Sequence, residues 1–160
     1  MRLEKRYYPS QNVDENQIID RFTRESGYYF LSNFYPSTIR FEGVLYSTCE
    51  HAYQASKTRD PKIRDLIQKS LTPAEAKKLG QSIQVREGWH EEKIGIMKIL
   101  IREKFENPFL RPKLMSTGNA VLILNNKWND KFWGVCRGIG ENWLGKILME
   151  ERERIRQEEE

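Results

Sequence analysis

The sequence predicts a single α+β domain that is mainly helical and carries a small β-sheet. A chain of 160 residues has the size of one domain with a real core. Most of its Leu, Ile and Met residues recur at helical spacing. Residues 38–41 and 44–46 flank Glu42-Gly43, which is the pattern of a short β-hairpin.

The N-terminal region has little periodic apolar character. We expect residues 1–27 to form a partly ordered extension and residues 28–156 to form the domain. An aromatic-rich run from Tyr28 ends at Pro36 and is too irregular for a helix. The hairpin follows this run directly.

A helix is predicted to begin at Ser47, because Ser47 and Glu50 have the spacing of a capping box. On that helix Glu50, Tyr53, Gln54 and Lys57 share one face. These four side chains make a poor apolar seam and a plausible wall of an active site. The alternative is that Glu50 only caps the helix, Tyr53 packs, and Gln54 and Lys57 are solvated.

Two further helices have clear start signals. The first begins at Pro61 and carries Ile63, Leu66 and Ile67 on one side. The second begins with the capping box at residues 72–75, with Pro at its first position, and is expected to stop at Gly80.

The second half of the chain contains the longest helices. Trp89 precedes a helix with apolar residues at 94, 97, 101 and 105, which ends at Asn107-Pro108. A short helix over residues 110–115 and a buried strand over residues 120–124 follow. The last helix starts near Asn142 and turns Leu144, Ile147, Leu148 and Ile155 inward.

Composition limits the function classes. No apolar run has the length of a membrane span, and the N-terminus lacks the apolar core of a signal peptide, so a soluble, cytoplasmic protein is expected. Cys49 and Cys136 fit a reducing compartment, with Cys49 a buried thiol rather than a nucleophile. No zinc constellation is recognisable, and neither a metal nor a cofactor is expected. The net charge of +4 permits a phosphate-bearing substrate or nucleic acid without requiring either.

The loop from residue 125 to residue 145 is the second chemically unusual stretch. It contains three Trp residues, Asp130, and the run Arg137-Gly138-Ile139-Gly140 ahead of the last helix. Backbone N–H groups of such a run and the helix dipole can hold a phosphate. The alternative is a turn that needs positive φ.

Together these segments resemble the YbiA-like family, also called NADAR, for NAD- and ADP-ribose-associated. The resemblance runs in order from about Tyr28 to Arg154. Its matching segments are residues 30–36 (FLSNFYP), 46–57 (YSTCEHAYQASK), 88–89 (GW), 100–105 (LIREKF), 129–134 (NDKFWG) and 140–149 (GENWLGKILM).

The resemblance implies N-glycosidase chemistry, in which the bond between a ribose C1 and a nitrogen is hydrolysed. One branch of the family removes ADP-ribose from guanine in nucleic acid, and the versions of the first and last motifs favour that branch here. The alternatives are an N-glycosidase of phosphorylated early riboflavin intermediates and a non-catalytic ADP-ribose-binding module. The oligomeric state is not predicted.

The resemblance implies that Glu50, Trp89, Asp130 and Trp133 belong to the site, and the chemistry of the residues suggests roles for these and for their neighbours. Glu50 is the expected acid or base, Asp130 its partner or a ribose ligand, and Lys57 either a nucleophile towards C1 or a phosphate ligand. Trp89 and Trp133 are expected to stack on the base, and Arg137 with the Gly138–Gly140 backbone is expected to bind a diphosphate. The expected substrate-binding residues are Asn33, Phe34, His51, Gln54, Trp89, Trp133, Gly134, Arg137, Gly138, Gly140 and Asn142.

Overall fold

The computed structural model describes residues 18–160. The part of the predicted extension that precedes Ile18 lies outside the described residues. Among these residues, six α-helices span Cys49–Ala55 (α1), Pro61–Gln68 (α2), Pro73–Ser82 (α3), Trp89–Phe105 (α4), Arg111–Met115 (α5) and Trp143–Glu159 (α6). The same part of the chain has six short strands, Ile18–Ile19 (β1), Ile39–Phe41 (β2), Val44–Tyr46 (β3), Val121–Leu122 (β4), Asn125–Asn126 (β5) and Val135–Cys136 (β6). The mainly helical α+β class is therefore confirmed, with the strands arranged as three two-stranded pieces rather than one sheet.

The chain divides into two compact units. One is the continuous segment Asn33–Leu110. The other combines the described residues up to Ser32 with Arg111–Glu160.

The continuous unit is built around the predicted hairpin. Strands β2 and β3 pair antiparallel, with Ile39 opposite Tyr46. Glu42 and Gly43 both have positive φ, 47° and 79°, as a two-residue type I′ turn requires. Helix α4 packs on β2 and on α1, and α1 also contacts α2 and α3. Helix α1 is thus buried along its whole length.

Helix α1 begins one residue later than the sequence predicted. Its N-cap is Thr48, whose extended backbone lets Oγ1 accept the N–H of His51 at 3.1 Å. The predicted box from Ser47 is wrong, because the Glu50 N–H donates to the carbonyl of Asn33 instead. The Ser47 carbonyl in turn accepts from Ser37. Tertiary contacts with residues 33–37 therefore decide where this helix starts.

Helix α3 confirms its predicted start and corrects its predicted end. Thr72 Oγ1 accepts the N–H of Glu75, and Pro73 occupies the first helical position. Gly80 does not stop the helix, which continues to Ser82. A Cβ atom at Gly80 would lie 1.8 Å from Oε1 of Gln54, so this glycine permits close packing on α1.

Helix α2 begins at Pro61 as predicted, behind an Asp60 cap. Of its three predicted inward residues, Ile67 is fully buried, whereas Leu66 is 59% exposed. Sequence spacing therefore located the helix and only partly its buried face.

The discontinuous unit joins distant parts of the chain. Strands β1 and β4 pair in parallel, with Ile18 opposite Val121, inside the predicted buried run 120–124. Helix α6 buries the four apolar residues predicted for it. Gly145 brings α6 against β4, because a Cβ there would lie 2.0 Å from the carbonyl oxygen of Leu122.

Candidate functional site

Glu50 places a carboxylate inside the continuous unit. The residue is 7% exposed and lies in the first turn of α1. Its Oε1 accepts a hydrogen bond of 2.7 Å from Nε2 of Gln54, one turn further along the helix. A buried carboxylate held by a neutral amide is a suitable acid or base for catalysis.

Lys57 stands next to this carboxylate, although it lies beyond the last residue of α1. Its Nζ is 5.3 Å from the centre of the Trp89 ring and 5.6 Å from that of Tyr53. Burial is the main reason that the pKa of Lys57 is lowered, and the nearby charge of Glu50 opposes this effect. Lys77 and Lys93 lower the same pKa further by repulsion.

The ring of Trp89 contacts Lys57 and Lys93 and is largely enclosed by neighbouring side chains. It is 4% exposed, and its Nε1 donates to Oγ of Ser56 at 3.0 Å. Tyr53 lies 5.5 Å away between ring centres, and Lys93 Nζ lies 5.6 Å from the indole. Neighbouring side chains surround the indole, and the stacking of a base on Trp89 stays a prediction.

His51 and Gln54 have structural partners on the same helix. Nδ1 of His51 is paired with the Thr48 hydroxyl at 2.7 Å, and Nε2 lies 3.0 Å from the carbonyl oxygen of Ser70. Both ring nitrogens are thus occupied in a side chain that is 1% exposed, and the predicted contact of His51 with substrate stays a prediction. Gln54 is also buried and lies between Glu50 and Gly80.

Asn33 keeps its place as a candidate ligand. Its backbone carbonyl accepts from Glu50, and its Nδ2 lies 3.5 Å from Sδ of Met97. Within the described part of the chain, its buried Oδ1 has no hydrogen-bond partner. A substrate hydroxyl or amine is the kind of donor such an atom lacks. Phe34 is half-buried beside it in sequence, and its role stays a prediction.

Asp130 and Trp133 belong to the discontinuous unit. Oδ1 of Asp130 accepts the N–H groups of Phe132 and Trp133, at 3.1 and 2.9 Å. Asn126 holds the backbone N–H and carbonyl of Asp130. One oxygen of Asp130 therefore shapes this loop. Its predicted pairing with Glu50 and the predicted stacking on half-buried Trp133 stay predictions.

The Arg137–Gly140 run adopts the turn that was the alternative to a phosphate site. Arg137 and Gly138 have positive φ, 52° and 78°, and Cys136 and Ile139 exchange backbone hydrogen bonds across them. The first two N–H groups of α6, on Trp143 and Leu144, already donate to carbonyls of residues 132 and 133. The predicted binding of a diphosphate by the Gly138–Gly140 backbone and by the exposed guanidinium of Arg137 stays a prediction.

Three other predicted ligands of this loop build the fold. Asn142 is fully buried; its Oδ1 accepts from Leu124 N–H and its Nδ2 donates to the Leu122 carbonyl. Gly134 and Gly140 sit where a Cβ atom would lie 2.2 Å from a backbone oxygen. These glycines allow close backbone packing, and the predicted contact of the three residues with substrate stays a prediction.

Sequence reasoning missed Lys77, Lys93 and Gly80. Lys93 follows Trp89 by four residues, so helical spacing was a usable signal for their contact. Lys77 and Gly80 reach the site through the packing of α3 on α1, for which no local signal exists.

Other features of the molecule do not add to this site. Cys49 is confirmed as a buried thiol, since it is 1% exposed, and this burial raises its pKa to about 11. A cleft of about 570 Å³ lies among residues 18–28 and 116–120, and none of the predicted site residues lines it. Within residues 18–160, no helix is long and apolar enough to cross a membrane.

Comparisons with known proteins agree with the fold and with the motifs. The chain is 35% identical to N-glycosidase YbiA of Escherichia coli over 149 residues, covering 91% of this chain and 92% of that protein. It is 38% identical to N-glycosidase Npun_R5314 of Nostoc punctiforme, covering 81% and 86% of the two chains. It is 34% identical to riboflavin biosynthesis protein VVA0006 of Vibrio vulnificus, covering 94% of this chain but only 42% of that protein.

The fold matches a solved structure as well. The NMR structure of Escherichia coli YbiA superimposes with a TM-score of 0.80 and 34% identity, covering 94% of this chain and 91% of YbiA. The profile of the NADAR domain matches residues 21–156. This chain therefore belongs to the NADAR domain family.

Proposed function

We propose that this chain is an N-glycosidase that hydrolyses the bond between a ribose C1 and a base nitrogen, with Glu50 as its acid or base. The observation that carries the proposal is the buried Glu50 carboxylate, held by Gln54 and electrostatically coupled to Lys57. The names of the YbiA and Nostoc relatives support the same reaction class.

The chemistry requires charge stabilisation at two places. As the C1–N bond breaks, positive charge develops on the ribose and the departing base needs a proton. Water supplies oxygen to C1, and Glu50 can take the proton from that water or pass one to the base. Either step favours a carboxylate in a dry pocket, where electrostatic effects are strong.

Lys57 gives this site a second chemical possibility. Its lowered pKa increases the share of neutral amine, which is the nucleophilic form. Attack on C1 would expel the base and leave an imine between Nζ and the opened ribose, which water then hydrolyses. If the amine stays charged, Lys57 instead binds a substrate phosphate.

The substrate we propose is ADP-ribosylated guanine in nucleic acid. The versions of the motifs at residues 30–36 and 140–145 support this choice. So do the net charge of +4 and the grouping of Lys57, Lys77 and Lys93, since the substrate carries phosphates. A phosphorylated early intermediate of riboflavin synthesis is the second candidate, favoured by the name of the Vibrio relative.

The test compares the action of the protein on the two candidate substrates. Protein is incubated with an ADP-ribosylated guanine oligonucleotide and, separately, with the phosphorylated riboflavin intermediate, and products are identified by mass spectrometry. We expect release of ADP-ribose from the oligonucleotide. Release of the base from the riboflavin intermediate alone would favour the second candidate.

The Glu50→Gln variant separates an enzyme from a binding module. It preserves the shape of the side chain, so folding and ligand binding should persist while turnover falls roughly a hundred-fold or more. Glu91→Gln, on the exposed surface of α4, is the matched control and should keep full turnover. Full turnover in folded Glu50→Gln protein would overturn the role of Glu50.

A further inference from the structure

Gly80 of α3, Gln54 and Glu50 form a continuous line of contacts in the structure. The Gln54 side chain is 3% exposed and spans the space between the other two residues. Its Nε2 donates to the Glu50 carboxylate at 2.7 Å. On the opposite side, a Cβ atom at Gly80 would lie 1.8 Å from Oε1 of Gln54 and 2.6 Å from its Cδ.

The orientation of the Gln54 amide is explained by Glu50. An ionised carboxylate only accepts hydrogen bonds, so the NH₂ end must face it. Within the described residues, the buried Oε1 then has no hydrogen-bond partner. Leaving a buried acceptor unpaired destabilises a protein, and such groups call for an explanation. A requirement to fix the position of Glu50 supplies one.

Gly80 is unusual for the same reason. Glycine in the middle of a helix is unfavourable relative to alanine. Here the missing Cβ provides the volume that the Gln54 amide fills. The amide therefore lies against Gly80 and in contact with Glu50.

We propose that Gln54, seated against Gly80, is a positioning residue that holds the Glu50 carboxylate in its reactive geometry. The proposal rests on the proposed function of Glu50. It assigns Gln54 to the support of the acid rather than to the substrate, and it gives Gly80 a part in activity.

The first test is Gly80→Ala, with Gly95→Ala as the matched control. Both glycines lie in helices, but at Gly95 a new Cβ meets nothing within 4 Å. The atoms nearest a Cβ at Gly80 are Oε1, Cδ and Cβ of Gln54, at 1.8, 2.6 and 3.0 Å, so the flexible amide should move away and the helices should shift by only a few tenths of an ångström. We expect kcat to fall roughly ten- to a hundred-fold, as for the loss of a hydrogen bond to a charged group, with little change in KM. Gly95→Ala should keep both constants.

The second test combines Gly80→Ala with Gln54→Ala, which removes the side chain that the new methyl group displaces. The thermal stability lost in Gly80→Ala should return, whereas kcat should remain low. If kcat returns together with stability, or if Gln54→Ala alone keeps normal kcat, the positioning role is wrong.

A spectroscopic measurement separates this proposal from the proposed function. The ¹³Cδ resonance of Glu50, assigned by its loss in Glu50→Gln, reports the hydrogen bond without any turnover. We expect it to move in Gln54→Ala and Gly80→Ala and to stay in place in Gly95→Ala. If it moves while kcat is unaffected, the contact is real but does not position Glu50 for the reaction, and the turnover of Glu50→Gln alone then decides the role of Glu50. If it does not move in either variant, Gln54 does not position Glu50.

Discussion

Lys57 is the residue whose chemical role can be settled most directly. Burial and two neighbouring ammonium groups lower its pKa, which favours the neutral amine at lower pH than for an exposed lysine. If the amine attacks C1, borohydride added during turnover should reduce the imine and leave a ribosyl mass on Lys57. Intact-mass and peptide mass spectrometry check this, with Lys57→Ala as the control that cannot form the adduct. If no adduct forms and Lys57→Ala only raises KM, Lys57 is a phosphate ligand.

Lys104 gives the folded state a defined dependence on pH. It is 1% exposed, and burial lowers its pKa to about 8 from the ordinary 10.5. Below pH 8 the charge is buried on folding, and this costs at most about 3 kcal/mol. Between about pH 8 and 10.5 the folded state has released a proton that the unfolded state keeps, so this contribution to stability rises with pH.

We therefore expect Lys104→Met to exceed the natural protein in free energy of unfolding, and by the largest margin at about pH 7. Its advantage in the free energy of unfolding should shrink as the pH rises from 8 to 9. Above pH 9 the buried thiol of Cys49, with a pKa raised to about 11, has the opposite effect, so the comparison stops there. Urea titrations at several pH values measure it, with Lys98→Met on the exposed side of α4 as control. Parallel stability curves for Lys104→Met and the natural protein would contradict the assignment.

Helix α3 contributes Lys77 to the surroundings of Lys57. Removing one of two like charges should raise the pKa of Lys57, so the pH at which activity begins should move upward in Lys77→Ala. Binding of ADP-ribose should weaken by roughly three- to tenfold, as for one lost charge-assisted contact. Calorimetry and a pH–rate profile check the two effects. Lys78→Ala, at the adjacent exposed lysine, should change neither the pH–rate profile nor the binding of ADP-ribose. Equal effects of both variants would show that only the net charge of the protein matters.

Individual elements show what local sequence could and could not predict. The hairpin was predictable because Glu42-Gly43 supplies both positive φ values within two residues. The start of α1 was missed by one residue because Ser47 and Thr48 are both good caps, and a contact with Asn33 decides between them. Local sequence predicts a helix stop at Gly80, because the side chain that requires a glycine there, Gln54, lies on another helix.

At the scale of the whole molecule, net charge separates the two substrate candidates. If the substrate is nucleic acid, backbone contacts release counterions, and binding weakens with salt. Two phosphate contacts on a single strand predict roughly a five- to tenfold loss between 50 and 200 mM salt. KM for an ADP-ribosylated oligonucleotide should show this loss, whereas KM for the ADP-ribosylated nucleoside should change less. Equal salt dependence would argue that the protein contacts only the modified nucleotide.

Sequence spacing could group only some of the residues of the predicted site. Glu50 and Gln54 lie one turn apart on α1, so helical spacing was enough to group them, whereas Lys57 lies beyond the end of α1 and joins them because it is near in sequence. Trp89, Lys93 and Lys77 converge with them through the packing of three helices, which spacing alone does not encode. In the Gly-rich loop, the sequence does not show that the carbonyl groups of residues 132 and 133 accept from the first N–H groups of α6.

The parallel pairing of Ile18–Ile19 with Val121–Leu122 has a consequence for synthesis on the ribosome. The first strand leaves the ribosome well before its partner, whereas Asn33–Leu110 is continuous and can complete its contacts in the meantime. Closing a chain segment of this length costs entropy, and contacts distant in sequence form slowly. We expect the continuous unit to be protected from protease in stalled nascent chains before α6 emerges, and the β1–β4 pair to form last. The nascent chain would then contain the candidate catalytic carboxylate of Glu50 within a folded unit before β1 and β4 have paired.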